Sequence, residues 1–161
     1  MATSTSGEQA HAALSATVGQ HEGVSEWFAV DQARIDAFAE VTEDRQFIHV
    51  DPEQAAALSP YGTTIAHGFL TLSMISHLMT SVPVAPETLA GFVMGLNYGF
   101  EKVRFIAPVK VGARIRASSV LASADLKDPS TVQIVRTVTI EIEGEGKPAA
   151  VADWVTRQIY A

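Results

Sequence analysis

The stretch Thr42-Glu43-Asp44-Arg45-Gln46-Phe47-Ile48-His49-Val50-Asp51-Pro52 places a carboxylate and an imidazole five residues apart. On a regular helix that spacing turns the two side chains away from each other, so Asp44 and His49 meet only if the chain between them is irregular. If they meet, they form an acid/base pair. Histidine works near neutral pH, and burial beside Phe47 and Ile48 would bring a carboxyl group towards the same range. Two such groups around one water can activate it and deliver a proton to a neighbouring atom. The plainer alternative makes Asp44 a loop cap and His49 a half-buried structural hydrogen-bonder.

A second chemical segment is Gly62-Thr63-Thr64-Ile65-Ala66-His67-Gly68-Phe69-Leu70. Glycines and threonines at a helix entrance suggest free backbone N–H groups in the first turn, where the helix dipole favours negative charge. Such donors suit an oxyanion formed from a carbonyl. Gly68 either lets a ligand approach the backbone or lets the helix pack closely. His67 and His77 invite a metal reading with Asp44 and His49, but their spacing of ten matches no familiar short ligand motif, so no metal is expected.

The elements that must carry these residues follow from periodicity. Val24–Val30 reads as a short strand, and Asp31 as the N-cap of a helix ending near Thr42, with Ile35, Phe38 and Ala39 on one stripe. Glu43–Val50 has no period and reads as an ordered loop. Asp51-Pro52-Glu53 opens another helix, closed by Ser59-Pro60-Tyr61-Gly62. Thr63 or Thr64 opens the longest helix, apolar around most of its circumference and stopped by Pro83 and Pro86, so it should be largely enclosed. From there on the pattern alternates with period two: Gly91–Gly99, Lys102–Pro108, Ala113–Leu121, Thr131–Glu143 and Ala149–Tyr160. A long buried helix followed by a long-stranded antiparallel sheet is solved by curling the sheet around the helix. This is an α+β hot-dog architecture, whose outer surface commonly pairs with another subunit. One such domain over residues 14–161, preceded by a loose tail over 1–13, accounts for the chain.

The string AEVTEDRQFIHVDPEQAA followed by PYGTTIAHGFLTLSMI, with Asn97-Tyr98-Gly99 and the run Val103–Gly112, resembles the MaoC-type dehydratases and (R)-specific enoyl-CoA hydratases, most closely their nodulation-protein-N-like branch. The resemblance covers about residues 18–160. It implies that Asp44 and His49 hold a catalytic water, and that Gly68 gives a main-chain donor to a thioester oxygen. It further implies substrate contacts from Gln46, Phe47, Tyr61, His67, Asn97 and Arg104. The implied reaction adds water to a trans-2-enoyl-CoA to give the (R)-3-hydroxyacyl product, without a cofactor, in a cytoplasmic homodimer whose partner molecule is an acyl-CoA or acyl carrier protein thioester. Many relatives carry Asp-x-Asn-Pro-x-His, where this chain has Gln46 and Phe47. A hot-dog thioesterase and a non-catalytic thioester-binding subunit of a dehydratase are the alternatives. Tyr61 and Phe47 either line an acyl tunnel or are ordinary core.

Composition narrows the classes further. The chain has 161 residues, no cysteine, and 18 acidic against 11 basic side chains, a formal charge of -7. That excludes thiolate catalysis and sulfur-based zinc sites, and argues against nucleic acid as a partner. The first residues have neither a basic start nor a continuous apolar run, so no leader or membrane segment is expected there. Residues 1–101 hold two basic and twelve acidic residues, whereas 102–161 hold nine and six. Lys102, Arg104, Lys110, Arg114 and Arg116 form a basic cluster that is either solvated sheet-edge charge or a holder for phosphates.

Overall fold

A computed structural model describes residues 4–161, apart from the side chain of residue 87. Helix α1 (Ser6–Ser15) opens with a reciprocal cap: the Thr5 hydroxyl accepts from the Glu8 N–H at 3.2 Å, and the Glu8 carboxylate accepts from the Thr5 N–H at 2.9 Å. Its Ala10 and Leu14, four residues apart, are buried against Leu121, Val132, Ile134 and Tyr160. The loose tail expected over 1–13 is therefore corrected for residues 6–13, while residues 1–3 lie outside the described range. A cap and one pair of apolar residues are a faint signal in an alanine-rich stretch, and the docking surface comes from distant strands.

The strand expected over Val24–Val30 is two short ones, β1 (His21–Val24) and β2 (Phe28–Ala29). Between them Ser25 N–H still donates to Ala117 O at 2.8 Å, but the return bond from the Ala117 N–H goes to the Ser25 hydroxyl, at 2.8 Å, in place of a backbone carbonyl. Helix α2 (Gln32–Thr42) starts where expected, with Asp31 Oδ1 accepting from the Arg34 N–H at 2.9 Å. The expected loop then contains a single helical turn, α3 (Phe47–Val50), before α4 (Pro52–Leu58), which Asp51 caps through the Gln54 N–H at 2.9 Å.

The long helix begins later than the residue pattern suggests. Thr64–Ala66 are extended: Ala66 N–H donates to Val109 O at 2.8 Å, Val111 N–H donates to Thr64 O at 3.0 Å, and Ile65 N–H donates to Ile48 O at 3.0 Å. With those groups occupied, helix starts only at Gly68, as α5 (Gly68–Ser73), α6 (Ile75–Leu78) and a 3₁₀ turn over Met79–Ser81. Its Leu70, Met74, Ile75 and Leu78 are buried, but Phe69 is 66% exposed, so the helix is covered on one side rather than enclosed.

The sheet is antiparallel throughout. Strands β3 (Phe92–Phe105), β4 (Arg114–Asp128), β5 (Thr131–Ile142) and β6 (Ala150–Tyr160) join β1 in the order β1-β4-β5-β6-β3, with β2 also on β4. The two runs Gly91–Gly99 and Lys102–Pro108 are one strand, β3, interrupted by register shifts at Asn97/Gly99 and Phe100/Lys102. The core lies where α5 and α6 cross Ile115, Ala117, Val138, Ile140, Ala150 and Ala152 of β4, β5 and β6. This is the expected α+β hot-dog arrangement, a sheet curled on a central helix. Its edge strand β3 is exposed along most of its length.

Candidate active site

The irregular chain between Asp44 and His49 is built by Glu43. It caps α2 in the left-handed conformation, with φ of 61°, which stops the helix and turns the next residues outward. Arg45 holds the outer side of this turn, pairing with Glu43 and, at 2.9 Å, with Glu40. The chain returns in α3, whose third residue is His49. Gln32 fixes that turn from α2: its Nε2 donates to His49 O at 2.7 Å, and its Oε1 accepts from the buried Thr64 hydroxyl at 2.5 Å.

His49 is buried, and its Nδ1 lies 2.7 Å from Ile65 O. A carbonyl oxygen only accepts, so Nδ1 carries the proton and Nε2 keeps its lone pair. Burial pushes His49 below the ordinary histidine value. The Ile65 hydrogen bond opposes this, the neighbouring His67 adds to it, and the Asp44 charge opposes it. The imidazole is therefore neutral at neutral pH, with Nε2 available as a base.

His67 stacks on His49 with ring centroids 3.7 Å apart and planes 24° apart, and its Nε2–H donates to Asp44 O at 2.9 Å. Its buried Nδ1 has no partner among the described residues. Side-chain donor atoms of Asp44, His49 and His67 all lie within 4.8 Å of one another. The two rings lie face to face, so their in-plane lone pairs run in near-parallel layers rather than towards one point. This suits a stack holding a loop better than a shared metal ion. The burial expected for Asp44 beside Phe47 and Ile48 is not found. Its side chain is exposed, because Glu43 turns the loop away from the core.

His49, Gly68 and Tyr61 line a cleft of about 260 Å³, walled also by Thr71, Phe105 and Ala149. Gly68 is the first residue of α5, where N–H groups have no helical partner. A Cβ there would meet the Phe105 ring at 3.0 Å, so close packing is one reason for glycine. The free donors expected at Thr63–Ala66 are partly absent, since the N–H groups of Ile65 and Ala66 are bonded to Ile48 and Val109.

The remaining expected residues divide. Gln46 is an exposed N-cap of α3, and Phe47 is half-buried and does not line the cleft. Asn97 is further along β3, accepting from Trp154 Nε1 at 3.1 Å, and lines a different cavity. Arg104 is exposed, with Nη1 on Val103 O at 2.7 Å. In the basic cluster, Arg114 is paired with Glu143 and Arg116 with Glu141, the latter at 2.7 Å. Lys102 is 81% exposed and 4.0 Å from Asp153. Only part of the cluster is uncommitted. Gln32 and the Ile65 carbonyl were missed by residue pattern, because one is an ordinary helix residue and the other carries no side-chain signature.

Residues 13–143 match the sequence profile of MaoC-like domains. Nodulation protein N of Rhizobium leguminosarum bv. viciae is 49% identical over 140 residues, 86% of this chain and 84% of that protein. 3-Hydroxyacyl-thioester dehydratase Z of Mycobacterium tuberculosis is 45% identical over 146 residues, 91% of this chain and 93% of that protein. The (R)-hydratase from A. caviae involved in PHA biosynthesis superposes with a TM-score of 0.63 at 25% identity, covering 86% of this chain and 94% of its own.

Proposed function

The chain belongs to the family of MaoC-like domains, and from that premise we propose that it is an (R)-specific enoyl-CoA hydratase. The carrying observation is the fixed tautomer of His49: Nδ1–H held by Ile65 O, Nε2 free, beside Asp44 and next to a cleft that begins at Gly68. Nε2 withdraws a proton from water, and the oxygen adds to C3 of the enoyl thioester. The electron pair moves through C2 to the thioester oxygen. Asp44, a carboxylate, orients the water, takes over the proton from the His49 imidazolium and hands it to C2, so both groups end as they began. The net change is H on C2 and OH on C3, and the reverse sequence is dehydration. The Gly68 N–H supports the enolate oxygen, where one such donor is typically worth about 3 kcal/mol.

His67 serves as a positioning residue, stacking on the base and holding the main chain of Asp44. Tyr61 forms a cleft wall against the substrate. Arg104, with Lys102 nearby, is the exposed cation available to a CoA phosphate, and the carrier is CoA or acyl carrier protein. The enzyme acts in the cytoplasm, where these thioesters are made and used. No helix among the described residues is long and apolar enough to cross a membrane. A second copy of the chain covers β3, where Val93, Leu96 and Tyr98 stand exposed at one end and Phe105 at the other, against Phe69. A sedimentation mass corresponding to the 17.2 kDa chain alone would overturn the dimer.

The activity is tested by loss of the conjugated enoyl absorbance with crotonyl-CoA. Asp44→Asn and His49→Ala should each lower the rate by two or more orders of magnitude. Full activity of Asp44→Asn, or release of free thiol in place of hydration, defeats this reading.

A further inference from the structure

Arg136 lies on the core-facing side of β5. Its neighbours on that face, Ile134 and Val138, are fully buried, and its own side chain is 11% exposed. It divides the core: Val138 and Ile140 pack with α5 and α6, whereas Val132 and Ile134 pack with α1. A charge in that position needs partners. Its Nε donates to both Glu22 carboxylate oxygens, at 3.0 and 2.9 Å, and Glu22 also accepts from the Ser119 hydroxyl at 2.6 Å. Among the described residues neither Nη group makes a hydrogen bond, so four N–H donors are left over.

Two cavities meet at this guanidinium. One, of about 540 Å³, has largely apolar walls from α1, residues 79–89 and Phe92. The other, of about 320 Å³, is lined by Ser76, Asn97, Trp154 and Thr156. The Thr156 hydroxyl is buried and also has no partner among the described residues. Both cavities are therefore lined by polar atoms that lack a partner for hydrogen bonding.

The cleft and the two cavities are walled by successive parts of one helical run and strand: Gly68, Thr71 and Phe105, then Ser76 and Asn97, then Met79 and Phe92. The helical run 68–81 is laid along β3: Phe69 meets Phe105 with ring centroids 5.6 Å apart, Asn97 Nδ2 reaches the Ser76 hydroxyl at 3.5 Å, and Met79 and Phe92 both wall the larger cavity. From Gly68 to Ser76 the helix rises about 12 Å, the reach of an extended acyl chain of medium length. We propose that the substrate's acyl chain runs along this seam and that Arg136 receives a hydrogen-bond acceptor at its far end. The enzyme then selects enoyl thioesters with a distal carbonyl or carboxylate oxygen over plain hydrocarbon chains of the same length. A hydrocarbon end leaves the Nη donors dry and unpaired, whereas an oxygen satisfies them, and sites with such donors discriminate strongly against analogues lacking the acceptor. This inference rests on the hydratase reading.

The test compares kcat/KM for trans-2-decenoyl-CoA with that for its ω-carboxyl and ω-oxo counterparts. At least one oxygen-ended substrate should exceed the methyl-ended one tenfold or more, and the two arms separate charge from hydrogen bonding. Arg136→Lys keeps the charge beside Glu22 but loses the planar fork, and should bring the ratio close to one. The double variant Arg136→Met with Glu22→Gln removes both charges together, avoiding an unpaired buried carboxylate, and should do the same. A wild-type enzyme that turns over the methyl-ended substrate as well as both counterparts, or a ratio that survives in both variants, overturns the proposal. If crotonyl-CoA is hydrated while no preference appears, the proposal alone fails. If crotonyl-CoA is not hydrated, the reading beneath it fails too.

Discussion

Neutral, buried His49 ties stability to pH in a way that can be measured apart from activity. In the unfolded chain its imidazole has the ordinary value near 6.5; in the fold burial holds it lower. Above about pH 6.5 both states are neutral at this position and His49 adds no pH dependence. Below it the unfolded chain binds the proton first, so the unfolded state gains and folding stability falls as pH drops. The loss grows by about 1.4 kcal/mol per pH unit until the folded-state value is passed, and then levels off. His49→Gln can still donate to Ile65 O but does not titrate, so the difference in stability between wild type and variant isolates this group. Urea unfolding of both proteins from pH 8 to pH 5 should give a difference that is flat above pH 6.5 and slopes against the wild type below it. The same burial puts the acid limb of kcat/KM below pH 6.5. A difference that stays flat down to pH 5, or an acid limb above 6.5, would refute the neutral buried base.

Two further substitutions probe how the site is held. Gln32→Ala leaves the buried Thr64 hydroxyl without an acceptor and the His49 carbonyl without its donor. It should cost about 2–4 kcal/mol in urea unfolding and lower kcat/KM by loosening α3, whereas an unchanged midpoint would show that Gln32 does not brace the turn. Gly68→Ala drives a methyl group to 3.0 Å from the Phe105 ring and should cost about 1–3 kcal/mol. Adding Phe105→Ala should restore much of that stability. If it restores none, the strain lies in the backbone rather than against the ring.

Much of the frame could be read from local chemistry. Asp31 and Asp51 cap the helices that follow them, and period-two alternation in 131–142 and 150–160 marks β5 and β6, because caps and alternation act over a few residues. The strings around Asp44, His49 and Gly68 likewise identified the family. Contacts between distant segments decided the rest. Thr64–Ala66 look like the start of a helix, yet Val109 and Ile48 take their N–H groups, so the helix starts at Gly68. Asp44 looks like a buried carboxylate beside Phe47 and Ile48, yet the left-handed Glu43 turns it to the solvent. Arg136 sits in a run of alternating apolar residues, and only the fold brings Glu22 against it and opens cavities beside it. The sequence alone determined the family and offered Asp44, His49 and Gly68 as candidates, since both depend on side-chain type and short spacing. The tertiary structure alone decided which nitrogen of His49 is free, because that turns on the Ile65 carbonyl sixteen residues away.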